Sequence, residues 1–186
     1  MAKSIGLTKV QIRSTIIDKL NSQKEGTRDR RSKIIKEKLL RTRVFQRAGN
    51  VMFYIALSGE VKTEAMIKAA RKKGKLVTVP VCKKNRMSLR PAILDEQAGL
   101  IKGPYGVSEP TLKRFLRLRD LDLVIVPGIA FDHQGNRLGR GKGCYDRFLK
   151  RLPKDTATIG LAFGFQILPS LPAAAHDISV QKVIAA

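Results

Sequence analysis

The chain has no tryptophan, only three tyrosines and seven phenylalanines, and only two cysteines, Cys82 and Cys144, far apart in its 186 residues. Each scarcity excludes something. Two distant cysteines cannot build the disulfide framework of a small secreted domain. So few aromatics leave little for base stacking, and the sequence carries no RNP-like aromatic motif, zinc finger or basic zipper. No apolar run approaches the roughly 20 residues that a spanning helix needs, so no membrane association is expected. The N-terminal twenty residues lack the continuous apolar core and small-residue cleavage site of a secretory signal, which leaves the cytoplasm as the expected compartment. Acidic side chains are also scarce. The 15 Asp and Glu face 37 Lys and Arg, a formal net charge of +22.

That surplus points to anionic partners. It is spread unevenly: net +10 over residues 1–50, +6 over 51–100, +5 over 101–150 and +1 over 151–186. Yet the longest basic runs are three residues, such as Arg71-Lys72-Lys73, and the blocks of like charge typical of nucleic-acid arms are absent. Most of these cations therefore read as solvated helix faces. No specific nucleic acid is expected as a partner, although non-specific adhesion to RNA stays open. Hydrophobic residues make up 43% of the chain, enough for a core, and the length suits one domain over residues 1–186.

Hydrophobic periodicity gives the elements. Thr8 is placed to cap a helix over 9–24 with Ile12, Ile16 and Leu20 on one face. A second helix is expected over 32–48, stopped by Gly49. Residues 51–57 read as a buried strand, 64–73 as a helix that Thr63 caps and Gly74 ends, and 75–81 as a second strand. Residues 85–108 read as short strands and turns. A third buried strand covers 121–126, a helix 143–151, and further strands 158–163 and 178–184. Strands alternating with helices predict an α/β fold with a mainly parallel sheet and helices on both faces.

The stretch Val124–Leu149 carries the chemistry. A buried strand enters a loop holding Gly128, Gly135, Gly139, Gly141 and Gly143, and then a helix. In parallel α/β sheets ligands sit beyond the carboxyl ends of the strands. Closely spaced glycines let backbone N–H groups converge on an oxyanion, and a helix N-terminus favours phosphate. Arg137, Arg140 and Lys142 add cationic donors, and Asp146 is a carboxylate placed to hold a divalent cation. The loop is neither a P-loop nor a dinucleotide fingerprint: Gly135 to Gly141 is one residue too long for the first, and G-x-G-x-G is not G-x-G-x-x-G. A purely structural turn remains the alternative. His133 and His176 are not spaced as a metal pair, and no Cys/His cluster supports zinc.

Residues 127–149, PGIAFDHQGNRLGRGKGCYDRFL, closely resemble the signature of the 5-formyltetrahydrofolate cyclo-ligase family, PG-x-AFD-x-x-G-x-RLG-x-G-x-G-YYDR-x-L. Weaker matches follow in order along the chain. Lys9-x-x-x-Arg13 resembles an N-terminal basic pair. Glu60, Val61 and Thr63 match E-V-x-T. Gly106-Val107-x-Glu109-Pro110 matches G-[IV]-x-EP, and His176-Asp177 matches a C-terminal HD. The resemblance implies ATP- and Mg²⁺-dependent closure of 5-formyltetrahydrofolate to 5,10-methenyltetrahydrofolate, releasing ADP and phosphate. It implies Arg140 and Lys142 as catalytic cations. Lys9, Arg13, Arg137, Leu138, Gly139, Arg140, Gly141, Lys142, Gly143, Cys144 and Tyr145 would form the ATP site. Ile55, Glu60, Met87 and Tyr145 would contact the folate, and Asp146 and Asp177 would hold Mg²⁺. It further implies a monomer whose partners are the two small-molecule substrates. Taken alone, Lys9 and Arg13 are ordinary helix-surface cations, Glu60 and Asp146 ordinary helix-start carboxylates, and Tyr145 an ordinary core residue.

Four positions depart from the family pattern. Cys144 replaces the first tyrosine of the YYD pair, and Leu89 stands where an aromatic is common. Ala174 stands where an acidic or polar residue is expected and Gln181 where an aspartate is common, which thins the shell expected around Asp177.

Overall fold

The computed structural model describes residues 7–83, 88–95, 100–103, 108–111 and 114–186. Thr8 caps α1 (Lys9–Asn21) through a capping box with Gln11, and Ile12, Ile16 and Leu20 are its buried stripe. The single helix expected over 32–48 is two helices, α2 (Glu25–Leu40) and α3 (Arg43–Arg47). Thr42 makes the break. Its hydroxyl donates to the Leu39 carbonyl and accepts from the Phe45 amide, closing one helix and capping the next.

The central sheet has strand order β11-β9-β6-β1-β2-β3. Its strands are β1 (Asn50–Met52), β2 (Leu76–Lys83), β3 (Ser88–Ile93), β6 (Leu123–Val126), β9 (Ala157–Ala162) and β11 (Lys182–Ala185). Every neighbouring pair is parallel except β2 and β3. Side chains alternate across the sheet. Leu123 and Ile125 join a core formed with α1, α2, α3 and α4 (Glu64–Lys72), whereas Val124 and Val126 join one with Phe148 and Leu149 of α5 (Cys144–Leu149). Helices therefore flank both faces, unequally. Two small sheets complete the fold: β4 (Leu100–Lys102) with β5 (Ser108–Pro110), and β7 (Ala130–Asp132), β8 (Arg137–Leu138) and β10 (Ile167–Leu168).

Several boundaries differ from the sequence reading. The strand expected over 51–57 ends at Met52. Beyond it Tyr54 binds the Thr63 hydroxyl through its carbonyl, and a turn at Gly59 carries the chain above the sheet. Thr63 thus donates to Tyr54 instead of capping α4 by its side chain. The glycine-rich segment is not one open loop, because β7 and β8 form a hairpin inside it. Asp132 closes that hairpin. Its carboxylate accepts from the backbone of Gln134 and Asn136, the Asn136 side chain and the Leu171 amide. Gly135 sits at φ 84°, and an added Cβ would lie 2.2 Å from the Val180 carbonyl oxygen, so only glycine fits. The strand expected over 178–184 is confined to Lys182–Ala185.

Candidate active site

A cleft of about 720 Å³ opens beyond the carboxyl ends of the parallel strands, where the segments following β1 and β6 and the end of β2 meet the glycine loop. Most expected residues meet there. Lys9, Arg13, Ile55, Glu60, Asp146, Asp177 and the whole run Arg137–Tyr145 line it. Met87 lies outside the described residues, as do Gly106 and Val107.

The two arginines of the loop have different surroundings. The Arg137 side chain is only 3% exposed and donates to Asp146 Oδ1 at 2.7 Å. Its guanidinium carbon lies 5.7 Å from the Tyr145 ring centroid. Arg137 is therefore largely spent on holding Asp146 and Tyr145. Arg140 is 46% exposed and donates to Glu60 Oε1 at 3.0 Å. Glu60 takes the Leu57 amide on its other oxygen, and Arg28 clamps the Glu60 and Leu57 carbonyls from below. The residue expected at phosphate and the residue expected at the pterin ring are thus joined across the cleft.

Helix α1 reaches the same place. Lys9 forms an ion pair with Asp177, and Arg13 Nε donates to the Gly139 carbonyl at 2.8 Å, pinning the loop. Gly141 stands at φ 95° with only ordinary contacts to Arg13 around the place of a Cβ, so the loop keeps a left-handed kink facing the cleft. Asp177 also accepts from the Ala174 amide at 2.7 Å. Burial opposes its ionisation, but the bonds from Lys9 and Ala174 outweigh that and lower its pKa. Ala174 therefore supports Asp177 through its backbone and needs no polar side chain. Gln181 is not part of this shell at all: it exchanges hydrogen bonds with Thr158 on β9.

Tyr145 is half-buried, and its buried hydroxyl has no hydrogen-bond partner among the described residues. Burial, with Glu60 adding, raises its pKa far above the ordinary range, so the phenol stays protonated and is a standing donor. Tyr54 is buried beside it, with a hydroxyl that donates to the Val61 carbonyl. Sequence reasoning assigned no role to Glu109, Cys82 or Tyr54, all of which line the cleft. Glu109 is 2% exposed, and its Oε1 accepts from the Cys82 amide at 3.1 Å. Its place in the E-P match was the available signal. Leu89, a departure from the family pattern, also lines the wall and is buried.

Among the described residues no group of three or more His, Cys, Asp or Glu side chains could hold a metal ion. Two carboxylates are nevertheless the donor set that Mg²⁺ commonly uses, with substrate phosphates and waters completing its shell. The Ile178 amide donates to Asp146 Oδ1 at 3.3 Å, which seats the Asp177 segment against Asp146. One oxygen of each carboxylate is engaged by Arg137 or Lys9. Two hard oxygen donors on one wall of the cleft fit the ion.

A parallel α/β sheet with a glycine-lined cleft at its carboxyl edge, holding both cations and carboxylates, places a ligand-sized pocket where folds of this class bind their substrates. Comparison narrows the class. Residues 6–186 match the model of the 5-formyltetrahydrofolate cyclo-ligase family, and the chain belongs to that family of enzymes. It is 30% identical to the 5-formyltetrahydrofolate cyclo-ligase of Mus musculus, over 98% of this chain and 96% of that one. Its likeness to the enzyme of the same name from Escherichia coli strain K12 is 32%, over 74% of this chain and 78% of the other. The solved structure of Aquifex aeolicus 5,10-methenyltetrahydrofolate synthetase superposes with a TM-score of 0.84 at 31% identity, covering 96% of this chain and 90% of that one.

Proposed function

We propose that this protein converts 5-formyltetrahydrofolate to 5,10-methenyltetrahydrofolate at the expense of ATP, with Mg²⁺, as a cytoplasmic monomer. The observation that carries the reading is the convergence of Lys9, Arg13, Arg140 and Lys142 with Glu60 and Tyr145 around one cleft. In this mechanism the formyl oxygen of the folate attacks the γ-phosphorus of ATP, and ADP leaves. N10 then attacks the activated formyl carbon, loses its proton, and phosphate departs with the former formyl oxygen.

Phosphoryl transfer of this kind rests on positioning and on stabilising charge, not on a nucleophile from the protein. Arg140 and Lys142 face the transferring phosphoryl group, and the loop amides between Gly139 and Gly143 add donors. Lys9 and Arg13 receive the outer phosphates. The Glu60 carboxylate accepts from the donor edge of the pterin, and Tyr145 donates its buried hydroxyl to the ligand beside it. Arg140 exchanges Glu60 for phosphate as ATP enters, which couples the two halves of the site. Asp146 and Asp177 would hold Mg²⁺, held in place themselves by Arg137 and Lys9. When bound, the ion neutralises charge on the phosphate oxygens. The Arg140→Ala enzyme, assayed at saturating ATP and 5-formyltetrahydrofolate, tests the reading. A drop in turnover without loss of folding is expected, and unchanged turnover would refute the role given to the loop.

A further inference from the structure

Arg28 lies on α2 and is not among the residues that line the cleft, yet it holds a turn that does line it. Its side chain is only 12% exposed, and its ion pair with the exposed Glu25 is long, at 3.5 Å. Its shorter bonds go to backbone. Nε donates to the Glu60 carbonyl at 2.8 Å, and Nη2 donates to the Leu57 carbonyl at 3.2 Å. These two residues are the ends of one turn, closed by the Glu60 amide donating to the Leu57 carbonyl at 3.1 Å. One planar guanidinium therefore fixes the spacing of both ends at once. Desolvating a cation costs free energy, and here two carbonyl dipoles and a distant carboxylate offset it.

The rest of the seat is equally specific. Gly59 stands at φ 80°, and an added Cβ would lie 2.8 Å from the Leu20 carbonyl oxygen on α1. The Gln23 side-chain amide donates to the Leu20 and Gly59 carbonyls, each at 3.2 Å. The turn thus rests on the junction between α1 and α2. What the turn presents is the Glu60 carboxylate. Its Oε2 accepts the Leu57 amide at 3.0 Å within the same turn, and its Oε1 is directed to Arg140 across the cleft. A shift at either end of the turn moves that oxygen.

We propose that Arg28 is a positioning residue for the folate half of the site: it sets the Glu60 carboxylate for the donor edge of the pterin and takes no part in holding ATP. The assignment rests on the function proposed above, in which Glu60 accepts from the folate. It predicts a split between the substrates. Loss of Arg28 raises KM for 5-formyltetrahydrofolate by about tenfold, within what a misplacement of 1 Å can cost. KM for ATP does not rise, because Lys9, Arg13 and Lys142 stand outside the turn and a loosened Glu60 releases Arg140.

Arg28→Ala, Arg28→Lys and Ser32→Ala are compared with the wild type by steady-state kinetics in each substrate and by amide hydrogen exchange over residues 57–60. Ser32 is the control on the same helix. Its hydroxyl accepts the Lys62 amide at 3.1 Å, so its loss loosens the same interface beyond the turn. Arg28→Ala is expected to raise KM for the folate alone and to speed exchange at the Leu57 and Glu60 amides. Arg28→Lys falls between, since a single ammonium lacks the planar fork, and it carries the same split if Arg28→Ala does not fold. Ser32→Ala shows neither effect. An equal rise in both KM values, an unchanged folate KM in a folded variant, or the same selective rise in Ser32→Ala would overturn the assignment, as would unchanged exchange. Wild-type protein without turnover is instead the failure of the functional reading, and the exchange measurement, which needs no activity, still decides whether Arg28 holds the turn.

Discussion

Arg137 and Arg140 lie three positions apart and look equivalent in the sequence, yet burial separates them. Arg140 can be removed at small structural cost, because it is 46% exposed and Glu60 keeps the Leu57 amide. Arg140→Ala is expected to lower kcat/KM by about 10²-fold or more, the usual loss for a donor to developing charge. Its Tm, followed by circular dichroism, should fall by no more than about 3 °C. Asp146→Ala is a different experiment. It strips the partner from a guanidinium that is 3% exposed, and breaking a buried pair costs about 3–5 kcal/mol. Denaturant unfolding should show that loss, and Asp146→Asn, which keeps the shape, is the better probe of catalysis. Tyr145→Phe should leave Tm unchanged or raise it, since a buried hydroxyl without a partner costs stability. A clear fall in Tm would mean that the hydroxyl is structurally engaged. These distinctions were illegible in the sequence. The motif RLGRGKG names cations without saying which one is already neutralised.

At the scale of elements, legibility followed local chemistry. The Thr8 capping box, the Ile12–Ile16–Leu20 stripe and the apolar run ending at Val126 are local signals, and each produced its element. What failed depended on partners distant in sequence or on competing side-chain bonds. Thr42 splits a pattern that hydrophobic spacing alone continues, and Thr42→Ala should cost about 1 kcal/mol through the lost cap. That predicts a Tm lower by about 2–4 °C by calorimetry, with the cleft unaffected. The β7–β8 hairpin was hidden because Gly135, its turn residue, also reads as a phosphate-loop glycine. Its fit depends on the Val180 carbonyl, 45 positions away. Gln181 was likewise assigned to the neighbourhood of Asp177 by sequence proximity, whereas the fold commits it to Thr158.

At the scale of the molecule, the charge of +22 is not concentrated where ligands enter. Among the described residues the cleft is lined by five cations, Lys9, Arg13, Arg137, Arg140 and Lys142, and by four carboxylates, Glu60, Glu109, Asp146 and Asp177, a balance of +1. The remaining surplus lies outside the cleft, where it can act on anions only as a field. Such a field is screened within about 8–10 Å at physiological salt. Raising ionic strength should therefore weaken the apparent affinity for both anionic substrates in steady-state kinetics, and a flat response would remove the field from the account.

Acid sensitivity also belongs to this scale. For Asp132, burial opposes ionisation, but the hydrogen bonds from Asn136, Leu171 and Gln134 prevail and lower its pKa; Asp177 is lowered in the same sense. Carboxylates with a depressed folded pKa stabilise the fold above their ordinary value, near 3.8, and the contribution is lost as pH falls through the folded value. Stability should accordingly drop below about pH 4 in a thermal-melt series, and Asp132→Asn should flatten that drop.

Closure of the formyl group in the cleft is directly measurable. Purified protein mixed with ATP, Mg²⁺ and 5-formyltetrahydrofolate should develop the near-ultraviolet absorbance of 5,10-methenyltetrahydrofolate, in proportion to enzyme and only when ATP is present. A flat trace at high enzyme concentration, from protein shown to be folded, would contradict it.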